Sequence, residues 1–113
     1  MKFEELIKKR YSCKSFSDRQ VEEEKLNAIL NAGRLAPTAK NLQEQRIYVI
    51  KTPDLLVVAY DKNNVFVYPG GKKDSVVEDA TIVATHLMLA AAAEGVDSCW
   101  VNYFDPDKLA EAL

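Results

Sequence analysis

The stretch from Ser75 to Glu94 limits what this chain can fold into more than any other. Ser75-Val76-Val77-Glu78 has the spacing of a capping box, where a hydroxyl and a carboxylate satisfy free N–H groups at a helix start. The helix predicted from there to Glu94 is roughly 30 Å long at 1.5 Å per residue. Ile82, Val83, Leu87, Met88, Leu89 and Ala90 to Ala93 make it apolar almost all round. Such a helix belongs in a protein core or in a membrane. Asp79, Thr81, Thr85 and His86 interrupt the apolar run, which favours a buried central helix over a bilayer span. The alanines would let neighbouring helices approach closely, including helices of a second subunit. Gly95 is the expected C-cap.

The other elements follow from spacing and composition. Phe3, Leu6 and Ile7 give a short amphipathic helix ending near Arg10. Ser17-Asp18 supplies a cap for a second helix, with Glu22 to Glu24 in its first turn and Leu26, Ile29 and Leu30 as its apolar stripe. Pro37 makes Ala36 a boundary, and Thr38 can cap the short stretch Ala39 to Gln43. Arg46 to Lys51 reads as a strand, Thr52-Pro53-Asp54 as a turn, and Leu55 to Tyr60 as a second, central strand apolar on both faces. Val65 to Tyr68 is a short strand or extended arm, followed by a flexible loop at Pro69 to Lys73. Ser98 to Phe104 reads as a third main strand, and Asp105-Pro106 opens a last helix.

At 113 residues this is one domain, 1–113. The formal net charge of −2 argues against a general nucleic-acid binder, so any phosphate site is local. Cys13 and Cys99 are too few and too far apart for a zinc framework. With no leader before an apolar core, they read as reduced thiols of a cytoplasmic protein. The single histidine, His86, rules out a site needing two and reads as a core histidine bonded to an oxygen. No metal site is expected.

Three clusters remain. Arg10-Tyr11-Ser12-Cys13-Lys14-Ser15-Phe16 places Arg10, Ser12 and Lys14 at alternating positions. In an extended segment these share one face, with Cys13 and Phe16 turned to the protein. The segment is a phosphate cradle or a solvated basic linker, and its own residues leave the two level. In Ala36-Pro37-Thr38-Ala39-Lys40-Asn41-Leu42-Gln43, Asn41 and Gln43 each carry a donor and an acceptor that suit a heterocycle edge. Alone, the stretch reads more simply as an exposed helix start. In Gly95 to Phe104, Trp100 and Tyr103 are either core aromatics of a sheet or a platform beside a flat ligand.

Together, in this order, the three clusters resemble the nitroreductase family of FMN-dependent oxidoreductases. Arg10 to Phe16 resembles that family's R-x-S-x-[RK]-x-F segment. Ala32 to Gln43 resembles its A-x-x-A-P-[ST]-x-x-N-x-Q segment, and Gly95 to Trp100 its G-x-x-S-x-W stretch. The resemblance implies an α+β fold, with a mainly antiparallel central sheet flanked by helices and a long buried central helix. It implies a homodimer with FMN at the interface, and hydride transfer from NADH or NADPH through flavin N5 to nitroaromatic, quinone or similar acceptors in two steps. Neither nucleic acid nor membrane is an expected partner. By similarity, Arg10, Tyr11, Ser12, Lys14, Asn41, Gln43, Trp100, Asn102 and Tyr103 bind the cofactor, and no side chain acts as nucleophile. The alternatives are a non-catalytic FMN- or nucleotide-binding relative and a dimeric structural domain.

Three departures from the family stand out. Glu44-Gln45 follows the N-x-Q where the family has Pro-Trp. The connector around 52–55 is almost absent. The strand, basic residues and tail that the family carries beyond the last helix are missing too. The chain therefore reads as a shortened or incomplete relative, in which Arg10, Ser12 and Lys14 would carry most of the cofactor's negative charge alone.

Overall fold

The computed structural model describes residues 1–51 and 54–113. Thr52 and Pro53, assigned above to a turn and to the short connector, lie outside the described residues. The elements run α1 (Phe3–Lys9), α2 (Glu23–Arg34), β1 (Gln45–Lys51), β2 (Asp54–Tyr60), α3 (Val76–Ala93) and α4 (Pro106–Ala112). β1 and β2 pair antiparallel, from Gln45 opposite Tyr60 to Lys51 opposite Asp54.

α3 is the central element. Asp79, Val83, Leu87 and Ala91 recur every fourth residue and form its buried stripe. Ile29 of α2 and Ala36 join Val83, Leu87 and Ala91 in the core, and Ile47 of β1 and Leu56 and Val58 of β2 pack against them. Gly33 makes this packing possible. A Cβ there would lie 2.6 Å from Leu87 Cδ2 and 3.1 Å from Ile47 Cδ1, so a side chain would force the Leu87 and Ile47 side chains to shift. His86 bonds through Nδ1 to the Ala32 carbonyl at 3.2 Å, the structural role its surroundings suggested.

Several local expectations fail for physical reasons. Ser98 to Phe104 forms no strand. Its only ladder contact is an isolated parallel bridge between Ser12 and Ser98, because no other strand among the described residues lies beside it. For the same reason β2 is not central: among the described residues its one neighbour is β1. α2 starts at Glu23 with Glu22 as N-cap, since Ser17 Oγ instead accepts the Arg19 N–H in a local turn. No capping box forms at Ser75, whose hydroxyl donates to the Asp79 carboxylate at 2.7 Å. Val65 to Tyr68 is an extended arm, held by a bridge between Val67 and Asp74.

The loop between α2 and β1 is unusual. Lys40, Asn41 and Gln43 have φ of 52°, 54° and 50°. Asparagine tolerates this left-handed region; lysine and glutamine do so at a cost. Four contacts hold it. Thr38 Oγ1 accepts the Gln43 N–H at 2.9 Å, and Asn64 Nδ2 donates to the Leu42 carbonyl at 3.0 Å. The Ala39 N–H donates to Asp79 Oδ1 at 3.0 Å, and the Lys40 ammonium sits 5.4 Å above the Phe66 ring.

The chain keeps more surface than its size calls for. It exposes 8348 Å², where a compact chain of this mass exposes roughly 6,200 Å². Its radius of gyration is 15.0 Å, against about 13 Å for a compact domain of this length. Phe3, Phe16, Val77, Val101, Tyr103 and Phe104 are among the large apolar side chains left at the surface.

Two outcomes follow for chemical denaturation. Leu87→Ala opens a cavity at the α2–α3 contact and lowers the unfolding free energy by about 2–5 kcal/mol. Lys40→Gly and Lys40→Ala both remove the ammonium, so their difference isolates backbone strain. The glycine variant is expected to be the more stable by about 1 kcal/mol.

Candidate functional site

The residues singled out from the sequence fall into two groups, one at each end of α3. At its C-terminal end the arm after α1 lies along the segment after Gly95. The Cys13 N–H donates to the Ser98 carbonyl at 2.9 Å, beside the Ser12–Ser98 bridge. Among residues 11 to 16 of the arm, Cys13 alone turns inward. Cys13 is buried, and the Tyr11 hydroxyl donates to Asp97 Oδ2 at 3.0 Å. The tyrosine's pKa is pushed up to about 12, first by the neighbouring Cys13 thiol and then by Asp97. Phe16, expected to face the protein, is exposed.

Ser12 and Lys14 take the other face. Lys14 Nζ reaches Cys99 Sγ at 3.5 Å, so Cys99 is a half-buried contact of this arm. Among the described residues the ion pairs are Arg19 and Lys25 with Glu22, Arg46 with Asp61, and Lys51 with Glu23. Arg10 and Lys14 join none of them. Two cations without a carboxylate partner thus stand on one short arm. The crevice between Arg10 and Asp97, floored by Ala92, holds only about 10 Å³, the room of a single water.

Beyond Ser98 the chain continues as an irregular, exposed segment. The Trp100 Nε1–H donates to Asn102 Oδ1 at 2.9 Å, which fixes the indole against its own loop. Tyr103 is fully exposed. These aromatics are not core residues of a sheet.

The second group lies at the N-terminal end of α3. Asn41 and Gln43 sit in the left-handed loop, where Gln43 Nε2 donates to Asn41 Oδ1 at 3.1 Å. Beside them is a cleft of 270 Å³ lined by Thr38, Gln43, Gln45, Arg34 and Arg46 over an apolar floor of Ile47 and Val83. The loop is tied to Asp79 and the arm packs near Ala92. At 1.5 Å per residue the two groups stand about 20 Å apart along the helix. One chain does not bring them together.

Sequence reasoning missed the groups beneath the loop. Glu44 and Asp79 are both buried, and the Ser75 hydroxyl bonds to Asp79. Glu44 Oε1 accepts from Gln45 Nε2 at 3.2 Å, while Glu44 Oε2 and Gln45 Oε1 have no partner among the described residues. Burial raises the Glu44 carboxyl above the usual carboxylate range; the Gln45 amide opposes this and Asp79 adds to it. The signal was in the sequence, as the acidic residue directly after Gln43, but nothing local says that it is buried. Asp97, the partner of Tyr11, carried no signal.

With this geometry in view, comparison with known proteins is informative. The model of the Nitroreductase family matches residues 7–66 and, overlapping, 55–113. A nitroreductase family protein of Clostridium difficile 630, known from a crystal structure, is 40% identical and superposes with a TM-score of 0.92 over 98% of this chain and 74% of its own. An FMN-dependent nitroreductase of Clostridium difficile R20291 is 29% identical, with a TM-score of 0.73 over 90% of this chain and 69% of its own. A protein of Archaeoglobus fulgidus, provisionally named NADH dehydrogenase/NAD(P)H nitroreductase, is 26% identical over an alignment covering 96% of this chain and 71% of the relative. The α+β architecture, with its antiparallel pair and long central helix, is thus that of these solved neighbours, and the chain belongs to the nitroreductase family.

Proposed function

We propose that the protein is an FMN-dependent oxidoreductase. It takes a hydride from NADH or NADPH and reduces nitroaromatic, quinone or similar acceptors in two half-reactions. It works as a cytoplasmic homodimer in which residues 1–113 act as one domain and no metal takes part. The observation that carries this reading is the cation pair Arg10 and Lys14, without an ion-pair partner among the described residues and set beside Ser12 on an arm that packs against the Gly95–Ser98 turn.

The residues fit the cofactor. A phosphate and a ring that gains negative charge on reduction need cations that are not already neutralised. Arg10 and Ser12 would hold the phosphate and ribityl chain, and Lys14 would compensate charge at the flavin pyrimidine. Asn41 and Gln43 offer amide donors and acceptors to the ring edge, on a loop whose backbone is fixed by Thr38, Asn64 and Asp79. Trp100, held by Asn102, and Tyr103 offer flat faces. Tyr11 would contribute through its position on the arm, since its hydroxyl is engaged with Asp97. When bound, FMN supplies the redox chemistry, and the side chains bind, orient and shield it from water.

Distance and surface support the dimer. The two groups of residues are about 20 Å apart on one helix. A two-fold axis across α3 would set the loop of one copy against the arm of the other. The excess surface supports this. So does α3 itself, whose mean hydropathy is 1.4 while the chain buries only five of its 18 residues fully. An excess of about 2,000 Å² is the scale of a permanent homodimer contact.

Purified protein is expected to be yellow and to release FMN on denaturation. A colourless protein that cannot be reconstituted with FMN would refute the reading. Arg10→Ala and Lys14→Ala each remove a charge-assisted contact of about 1.5–3 kcal/mol, raising the FMN Kd roughly 10- to 100-fold in equilibrium titration. Sedimentation at micromolar concentration is expected to give twice the chain mass. A monomer that binds FMN at full strength would overturn the shared site.

A further inference from the structure

Glu44 and Asp79 are carboxyl groups that the proposed chemistry does not use. Their exposures are 0% and 3%. They come from different elements, Glu44 from the residue before β1 and Asp79 from the first turn of α3. Asp79 is fully engaged: Oδ2 accepts the Ser75 hydroxyl at 2.7 Å and Oδ1 the Ala39 N–H at 3.0 Å. Glu44 is not, because its Oε2 lacks a partner although it is buried. The two are neighbours beneath the Thr38–Gln43 loop: Asp79 holds the Ala39 N–H and is among the groups that raise the Glu44 carboxyl.

No cation offsets the pair among the described residues. The facing groups are Ser75 and Asp79 from α3 and the Gln45 amide from β1. Tyr68 lies near Asp79 from the extended arm, its phenol raised by burial and then by Glu78, Asp79 and Asp74. Arg46 turns away to Asp61, and Lys40 lies over Phe66. Two buried carboxylates in contact without a cation cannot both be charged.

We propose that Glu44 and Asp79 share one proton, and that the protonated pair positions the Thr38–Gln43 loop. The proton sits between Glu44 Oε2 and the Asp79 carboxylate, so the orphaned oxygen becomes a donor and Asp79 stays fixed. Fixed, Asp79 holds the Ala39 N–H at the entrance to the loop. The left-handed residues Lys40, Asn41 and Gln43 depend on such anchors. Removing the proton places two negative charges in a closed space, and the pair is relieved by parting, which frees Ala39. Glu44 and Asp79 are thus positioning residues for the loop. The proton pair stands independently of the flavin reading; only its effect on cofactor affinity rests on that reading.

The direction of the pH effect follows from the raised Glu44 carboxyl. The folded chain keeps a proton that the unfolded chain releases near the ordinary glutamate value of about 4.3. Stability therefore falls as pH rises from there to the pair's own midpoint, and is level above it. Carboxyl-carbon NMR on the purified protein would follow the Glu44 titration directly, and hydrogen exchange would follow the Ala39 amide. The expected result is a Glu44 midpoint well above the ordinary value. Between the ordinary glutamate value and that midpoint, both the opening of the Ala39 amide and the FMN Kd should rise by up to about tenfold per pH unit, and both should be level above it. Glu44→Gln, which keeps a donor to Asp79 without a titrating proton, is expected to flatten both profiles. A Glu44 carboxyl titrating at or below its ordinary value would overturn the proposal, as would pH-independent Ala39 protection. Should Glu44→Gln fail to fold, the wild-type titration and amide protection decide alone. A protein that binds no FMN at any pH would remove the flavin reading, and those same two measurements would still judge the proton pair.

Discussion

The approach of α2 to α3 at Gly33 and Leu87 is the contact on which the rest depends. Glycine gives room there, because a methyl group would meet the end of the Leu87 side chain at 2.6 Å. With the helices in contact, Ile29, Val83 and Leu87 close into a core, and the β1–β2 pair has a surface to lie on. The same packing sets where the loop after α2 emerges, next to the first turn of α3. Its tie to Asp79 is a consequence of helix packing, not of its own sequence.

That order of dependence explains how much could be read from residues alone. α1, α2 and α3 were legible because their apolar positions repeat with helical period, and β1 and β2 because β-branched and aromatic residues are dense there. The segment Ser98 to Phe104 has the same composition as a strand and is not one. Strand propensity needs a neighbouring strand to act on, and among the described residues the segment's one bridge partner is Ser12. Ser75 and Glu78 have capping-box spacing, yet the nearby Asp79 carboxylate takes the hydroxyl. In both cases a tertiary partner decided between two local options.

The candidate site was legible in outline and not in assembly. The motifs gave the residue types, but of the alternation along the arm the structure shows only Cys13 buried between exposed Ser12 and Lys14; Arg10 is half-buried and Tyr11 is exposed. Nothing in the sequence said that the arm and the loop lie at opposite ends of α3. Nor did it say that Glu44, which stands where the family has proline, would be wholly buried near a second buried acid. Burial of a charged residue is set by what folds over it, and that information is distributed across β1, α3 and the loop.

The separation of arm and loop has a genetic corollary. In the proposed dimer every site is built from two chains, so a lesion in the arm and a lesion in the loop damage different halves of each site. A dimer formed from one chain of each kind would carry one doubly damaged site and one intact site. Two alleles that are each null could therefore complement one another within a single protein, up to half of the normal site number, whereas two arm lesions could not.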